Sequence, residues 1–239
     1  MKYITFTNSG SIDLCHNMIV SLRRFTEDDI IVFCLDAKSK EYLQSQNISN
    51  VTLNSKYQFQ ENYHNYGTQE FKQIMFLKLR SLIDTFNEFS DNLFFIDADV
   101  YFANSPCETI KQTEDSLTFD IVCQTDKPVG SMWCAGVMFL RNNESIKQLL
   151  TEAIKISEKL ANIKTDMGEA HDQTILNHLL VDNTYKVGCF DTTFATNGHL
   201  YFSDFGPKER SGQSIIHANF CVGREQKLQW LKSENMWRL

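Results

Sequence analysis

The stretch that decides the fold is Leu93-Phe94-Phe95-Ile96-Asp97-Ala98-Asp99-Val100. Four apolar residues run without interruption into two carboxylates spaced i and i+2. Such a run reads as a strand covered on both faces, the kind found in a parallel or mixed α/β sheet. Ligands of open α/β sheets bind beyond the carboxyl ends of these strands, so Asp97 and Asp99 arrive where chemistry is done. On an extended segment, side chains at i and i+2 point the same way. Two carboxylates aimed at one point suit a hard divalent cation, and such a cation holds phosphate. The stretch therefore predicts a metal-dependent site for a phosphorylated ligand. An ordinary acidic turn after a strand is the plainer alternative. Against it, carboxylates delivered by a buried strand each need a partner or water.

Outward from this stretch the chain alternates strand and helix. Tyr3–Thr7 reads as a short strand, followed by the turn-forming Asn8-Ser9-Gly10-Ser11. Leu14, Met18, Ile19 and Leu22 recur at helical spacing and predict a helix over 13–24. Ile30–Leu35 is a second strand closed by Asp36, residues 38–46 a helix, and Val51-Thr52-Leu53 a third strand. This is the β-α-β-α-β rhythm of a nucleotide-binding domain. Residues 54–68 carry Tyr57, Phe59, Tyr63, His64 and Tyr66 and end at Gly67. They read equally as a loop over the site or as a plain surface loop. Phe71, Ile74, Met75, Leu79, Leu82, Ile83 and Phe86 predict a helix over 69–86.

Beyond Pro106 the chain reads as irregular and acidic. Asp120–Cys123 and Met132–Leu140 read as strands, the second with Gly136 inside it, which marks close approach of a ligand or another backbone. Residues 145–164 form an amphipathic helix that needs no role beyond packing. A short helix follows Ala170-His171-Asp172-Gln173, and Tyr185–Phe190 and Ser214–Ala218 are late strands. The tail with Trp230, Leu231 and Trp237 should pack back on the body. There is no internal repeat.

Length and composition set limits. The 239 residues suit one large domain with a sizeable core. Hydrophobic residues at 42% and charged residues at 22% exclude a disordered class. A net charge of −7 and no Lys/Arg-rich block disfavour broad nucleic-acid binding. An anionic small molecule stays compatible, because a bound metal reverses the local sign. The seven cysteines are odd in number and form no CxxC, which reads as buried free thiols in a reducing compartment rather than a disulfide framework or structural zinc site. The Asn-x-Ser/Thr triplets at Asn47, Asn50 and Asn143 are common by chance and carry little. The N-terminus lacks a signal peptide's apolar core, and no stretch reaches the ~18–20 apolar residues of a membrane span. The reading is a cytoplasmic protein without a transmembrane segment.

Three further groups of residues could join the Asp pair. His217 ends another apolar strand, in Ile215-Ile216-His217-Ala218-Asn219. A lone histidine there is more often a satisfied structural residue. With two carboxylates it makes a mixed O/N ligand set, which suits Mn²⁺, with Mg²⁺ as the other choice. Gly223 and Lys227 follow; a glycine lets backbone N–H groups approach phosphate and a lysine neutralises it, though the spacing alone is weak. Asp172 and Gln173 sit at a helix start, where they could simply cap it.

Taken in order, these pieces resemble the nucleotide-diphospho-sugar transferase family, family 77 of the retaining glycosyltransferases, with kinship to the glycogenin-like transferases. The resemblance covers about Thr5 to Trp237. It rests on Thr7-Asn8-Ser9-Gly10 with Asn17 and Ser21-Leu22, and on Asp36 closing the second strand. It continues with Lys78 in the preceding helix, Phe95-Ile96-Asp97-Ala98-Asp99-Val100 with Pro106, and Cys134-Ala135-Gly136-Val137-Met138. Asp172-Gln173-x3-Asn177 and His217-x-Asn219-x3-Gly223-x3-Lys227 complete it. One departure is Ser105, where a charged residue is commoner; it lies outside the metal site.

The resemblance implies a GT-A fold: one Rossmann-like α/β domain over 1–239, with a mixed, mostly parallel sheet flanked by helices. Residues 1–100 would bind nucleotide, and 101–239 the sugar and acceptor. It implies a metal-dependent transfer of a sugar from a UDP-linked donor to a hydroxyl of a glycan, protein or small molecule, with retention of configuration. Carried over by position, Asp97, Asp99 and His217 would hold the metal, Asp97 also reaching the ribose. Gly223 and Lys227 would hold the diphosphate. Thr7, Asn8 and Gly10 would line the base pocket, while Lys78, Asp172 and Gln173 would touch the transferred sugar, the last two as catalytic residues. A leaving diphosphate gains charge that a metal and Lys227 stabilise, and a nearby oxygen supports the oxocarbenium-like sugar.

Two rival readings stand beside this one. A haloacid-dehalogenase-type phosphatase also places Asp-x-Asp after an apolar strand and would form a covalent adduct on Asp97. It gives His217 and Lys227 no role, and its motif usually lies near a chain's start. A non-catalytic carbohydrate- or nucleotide-binding module would use the aromatics of 54–68 for stacking. It leaves the conjunction of Asp97, Asp99, His217 and Lys227 without a purpose.

Overall fold

The computed structural model describes residues 1–53, 61–128, 130, 132–161, 171–181, 184–221 and 223–239. The chain opens with β1 (Lys2–Thr7), α1 (Ile12–Leu22), β2 (Ile30–Cys34), α2 (Ala37–Ser45) and β3 (Val51–Leu53). Helix α3 (Gln69–Glu88) leads into β4 (Leu93–Ile96), and a turn leads into β5 (Val100–Phe102). Then come α4 (Cys107–Asp115), β6 (Ile121–Gln124), β7 (Cys134–Leu140), α5 (Glu144–Ala161) and α6 (Asp172–Leu180). The last part holds β8 (Val187–Cys189), β9 (Ala195–Asn197), a π-helical turn at Leu200–Asp204, α7 (Pro207–Ser211), β10 (Ile215–His217) and α8 (Arg224–Ser233).

Among the described residues, seven strands form one sheet in the order β3-β2-β1-β4-β7-β6-β8. Among the described residues only β7 runs against its neighbours in this sheet, β4 and β6; the other pairings there are parallel. A second sheet, β5-β10-β9, stands beside it. Strand β4 is the strand the sequence called for. Its residues alternate between two cores: Leu93 and Phe95 face one, Phe94 and Ile96 the other, and none is more than 1% exposed. Helices cover both sides. The stripes of α3 (Leu79, Leu82, Phe86) and α5 (Ile146, Leu149, Leu150, Ala153) pack with Leu93 and Phe95, and Cys15, Met18 and Leu22 of α1 pack with Phe94 and Ile96. Thr68 starts α3 by accepting the Phe71 N–H at 3.2 Å.

The structure corrects the sequence reading at several points. The strand stops at Ile96, and Asp97–Asp99 form a turn closed by Val100 N–H donating to Asp97 O at 3.3 Å. The two carboxylates converge through this turn, not through alternation along a strand. Val100 opens β5, which belongs to the other sheet. The stretch after Pro106 is not irregular but is the helix α4; it buries only Ile110 and so has no apolar stripe to announce it. The expected strand at Met132–Leu140 begins at Cys134, and that at Tyr185–Phe190 shrinks to Val187–Cys189.

The tail does pack back. Trp230 stacks on Phe202 with centroids 4.5 Å apart, and Asn17 of α1 binds Met236 O and Arg238 N–H. All seven cysteines are free, four of them buried. Tyr57, Phe59 and the end of the predicted 145–164 helix lie outside the described residues. No helix among the described residues is long and apolar enough to cross a membrane.

Candidate functional site

The parallel strands end at one edge. There β1 delivers Thr7 and Asn8, β4 delivers Asp97, and β6 delivers Gln124, Thr125 and Asp126. Because β7 is antiparallel, its first residues, Cys134 to Gly136, lie at the same edge. The second sheet adds His217, paired with Val100 across β10 and β5, while Ala218 N–H donates to Asp99 O at 3.0 Å. The sequence-distant histidine is thereby pinned to the Asp turn. A cleft of about 680 Å³ opens at this edge.

Asp97, Asp99 and His217 form a compact triad whose ligand atoms all lie within 4.8 Å of one another. His217 Nε2 is 3.2 Å from Asp99 Oδ1 and 3.7 Å from Asp97 Oδ2. A Cβ at residue 136 would lie 2.2 Å from His217 Cε1 and 2.6 Å from Asp97 Oδ2. Glycine at 136 is therefore what lets the imidazole and the carboxylate meet over β7. This settles the close approach that the sequence flagged: the visitor is the triad itself. Two carboxylates, one imidazole and a cradle shaped by a missing side chain fit a divalent cation with mixed O/N ligands.

The electrostatics match. Burial raises the Asp97 pKa, and Lys78 and His217 only partly offset that. Burial also works against the Asp99 carboxylate, but Lys227 and His217 outweigh it and hold its pKa low. Burial disfavours a charged His217, and Asp99 and Asp97 outweigh it to raise its pKa. Lys227 is ion-paired with Asp99 and also donates to Ala218 O at 2.8 Å. The pair sits beside Gly223, whose φ of +94° suits glycine, at the start of α8.

Next to the triad, Lys78 and Asp172 are both 2% exposed and directly ion-paired. Lys78 Nζ also donates to Ala135 O at 2.9 Å and lies 3.7 Å from Asp97 Oδ1. Burial favours neutral forms for both, but each partner's charge prevails, so the Lys78 pKa is raised and the Asp172 pKa lowered. Gln173 is held at both ends of its amide: Oε1 accepts Ala135 N–H at 3.1 Å, and Nε2 donates to Asp126 Oδ2 at 3.1 Å. Asp126 Oδ1 accepts from Asn219 Nδ2 at 3.1 Å. The sequence-predicted Asp172 and Gln173 are thus fixed side by side at the N-terminus of α6.

Thr7, Asn8, Lys78, Asp97 and Asp99 all line the cleft, as do Asp172, Gln173, His217, Gly223 and Lys227. Gly10 does not. A Cβ there would lie 2.0 Å from Tyr63 N, so Gly10 serves a close backbone crossing with Asn62-Tyr63. That crossing is fastened by Asn8 Nδ2 donating to Asn62 O at 2.9 Å. Tyr63, His64 and Tyr66, from the described part of the aromatic loop, line the cleft. The sequence reading missed Asp126 and Gln124. The signal was present: like Asp97, they follow a short apolar strand, Ile121-Val122-Cys123, at its carboxyl end.

A mostly parallel sheet with an Asp-x-Asp turn at its carboxyl edge, met by a histidine and a lysine from a second small sheet and its following helix, is the GT-A architecture. The chain belongs to the nucleotide-diphospho-sugar transferase family, whose model matches residues 26–231. Solved structures agree on the fold. The bifunctional glycosyltransferase WbbM is 14% identical with a TM-score of 0.62; the match covers 99% of this chain and 49% of that one, so this chain spans about half its length. A glycosyltransferase involved in the glycosylation of the major capsid of PBCV-1 is 11% identical with a TM-score of 0.61, covering 97% and 98% of the two chains. The galactosyltransferase LgtC, solved with donor and acceptor sugar analogs, is 13% identical with a TM-score of 0.55, covering 98% and 96%. No curated protein matches the chain by sequence.

Proposed function

We propose that this chain transfers a sugar from a UDP-linked donor to a hydroxyl acceptor, with dependence on Mn²⁺ or Mg²⁺ and with retention of anomeric configuration. The observation that carries the reading is the convergence of Asp97, Asp99 and His217 within 4.8 Å, with Lys227 on Asp99, in a cleft at the carboxyl edge of the sheet. Asp97, Asp99 and His217 would hold the metal ion. When bound, it supplies positive charge to the diphosphate as the glycosidic bond breaks.

The chain's own residues divide the remaining work. Thr7 and Asn8, at the end of β1, line the base side of the cleft. Lys227 and the first N–H groups of α8 after Gly223 receive the diphosphate, because a helix N-terminus favours anions and a lysine neutralises them. Binding the donor draws Lys227 from Asp99 to phosphate. Lys78 neutralises Asp172 and fixes it against Gln173, so the pair meets the transferred sugar as a rigid wall. Neither is a free base: Asp172 is ion-paired and both ends of the Gln173 amide are engaged. That arrangement suits retention, in which the departing phosphate oxygen takes the acceptor proton. Residues 1–100 supply most of the nucleotide side, and 101–239 the sugar and acceptor side together with the His217 and Lys227 motif. A reducing, cytoplasmic setting suits the seven free thiols.

A thermal-shift screen of nucleotide sugars, each with and without Mn²⁺, tests the reading. A ligand that binds only the native state raises Tm by mass action. A Mn²⁺-dependent rise with a UDP-sugar is expected; no rise with any nucleotide sugar would count against the reading.

A further inference from the structure

We infer that Gln124 is a positioning residue for His217: its side-chain carbonyl fixes the imidazole as the Nδ1–H tautomer and keeps Nε2 available to a metal ion. The inference rests on the metal reading of the proposed function and goes one layer beyond the triad. Gln124 is the last residue of β6 and is fully buried. Its Oε1 lies 3.1 Å from His217 Nδ1. An amide oxygen only accepts hydrogen bonds, so Nδ1 must carry the hydrogen. Nε2 is then the atom turned toward Asp99 and Asp97, at 3.2 and 3.7 Å. A metal-ligating histidine characteristically donates its other N–H to a fixed acceptor, which sets its tautomer and ring orientation.

Two further observations single out this residue. The pairing of β6 with β7 slips just before it. Cys123 opposes Met138, so an unbroken register would set Gln124 against Val137, yet Gln124 opposes Cys134. Such irregularities re-aim side chains and are common beside active sites. In addition, Gln124 Nε2 has no hydrogen-bond partner among the described residues. A buried amide with an idle –NH₂ costs stability, so packing alone would favour an apolar residue here. What the amide supplies is Oε1. Of the other neighbours, Cys134 Sγ is 3.8 Å from Nδ1 and is a weak acceptor. Gly136 leaves room for Cε1, since a Cβ there would lie 2.2 Å from it. Gln124 Oε1 is the strong acceptor at the Nδ1 corner of the ring.

The test compares Gln124→Met with Gln124→Glu by titrating Mn²⁺ into the full chain and reading free Mn²⁺ by EPR, alone and with saturating UDP. Methionine keeps the volume and removes the acceptor; glutamate keeps the acceptor. Gln124→Met should weaken Mn²⁺ binding by about 10–100-fold, and Gln124→Glu should keep it in the wild-type range. The metal-free Tm of Gln124→Met should stay near or above that of the wild type, because the idle –NH₂ is gone. Should that variant not fold, Gln124→Asn withdraws the oxygen by one methylene and should show the same loss. Wild-type Mn²⁺ affinity in a folded Gln124→Met or Gln124→Asn would overturn the inference while leaving the metal site standing. A wild-type chain that binds no Mn²⁺ in either arm would overturn the metal reading and this inference together.

Discussion

Lys78→Met should unfold the protein well below the wild-type Tm, and its size follows from the burial of the pair it breaks. Lys78 and Asp172 are each 2% exposed and directly ion-paired, and Lys78 Nζ further serves Ala135 O at 2.9 Å. Methionine keeps the length of the side chain but loses the ammonium, which also sits 4.7 Å over the Phe95 ring, and leaves the buried Asp172 carboxylate with only the His171 imidazole beside it, at 3.4 Å. Removing one partner of a buried pair costs about 3–5 kcal/mol, because the other charge stays uncompensated. For a chain of this size each kcal/mol moves Tm by ~2–4 °C, so the fall should be roughly 6–20 °C. Lys78→Met combined with Asp172→Leu removes both charges and should recover about half the loss or more, since replacing a whole buried pair by apolar groups is often neutral. Urea or thermal denaturation of the wild type, both single variants and the double variant closes the cycle. A Lys78→Met variant that melts within about 2 °C of the wild type, or a double variant less stable than either single one, would refute the claim that this pair is a buried clamp.

Other expectations follow from the same geometry. Gly136→Ala places a methyl 2.2 Å from His217 Cε1 and 2.6 Å from Asp97 Oδ2, so two ligands must move apart. Mn²⁺ affinity measured calorimetrically should fall by about 10-fold or more, and an unchanged affinity would show that the cradle is not needed. In the native protein at pH 8, iodoacetamide should modify the exposed Cys189 long before Cys15, Cys34, Cys123 or Cys134. Burial pushes the Cys34 thiol up to about 11 and raises the other three as well, and only the thiolate reacts. Mass spectrometry of timed samples reads this; early labelling of Cys134 would mean that the β7 edge opens. Asp126→Ala removes the carboxylate that Gln173 and Asn219 share, and kcat should fall by about 10²-fold from misplacement of Gln173, while an unchanged kcat would separate Gln173 from that anchor.

The elements legible from sequence are those whose burial leaves a periodic trace. β4 showed as an unbroken apolar run, and α3 and α5 as stripes, because each buries a continuous face against the sheet. Asp97, Asp99 and His217 are legible because each stands where an apolar run ends; Lys227, inside α8, and Asp172 and Gln173, at the start of α6, stand out only in the company of those motifs and through the family resemblance. The elements not foreseen leave no such trace. α4 buries one residue, and α8 buries only Leu228 and Leu231. Of the second sheet, β10 lies within the expected strand Ser214–Ala218, whereas β5 and β9, three residues each, are too short for alternation to register, and the pairing that joins Val100 to His217 leaves no trace in the sequence. The geometry of the Asp pair is not legible either, since a turn and a strand give the same Asp-Ala-Asp in sequence. For Gln124 and Asp126 the sequence carries only a weak signal, polar residues at the carboxyl end of a short apolar run; the irregular β6–β7 pairing at Gln124 and the contacts of Asp126 with Gln173 and Asn219 are visible only in the fold.

The central claim is that Asp97, Asp99 and His217 hold a divalent cation that the transfer of a UDP-linked sugar requires. Its most direct test is release of UDP from UDP-sugars by the wild type and by Asp99→Asn, each assayed with Mn²⁺ and with EDTA. The account predicts release by the wild type with Mn²⁺, loss of release in EDTA with recovery on adding Mn²⁺ back, and release by Asp99→Asn with Mn²⁺ reduced at least about 10-fold. Release that persists in EDTA, or that Asp99→Asn leaves at the wild-type rate, would contradict it.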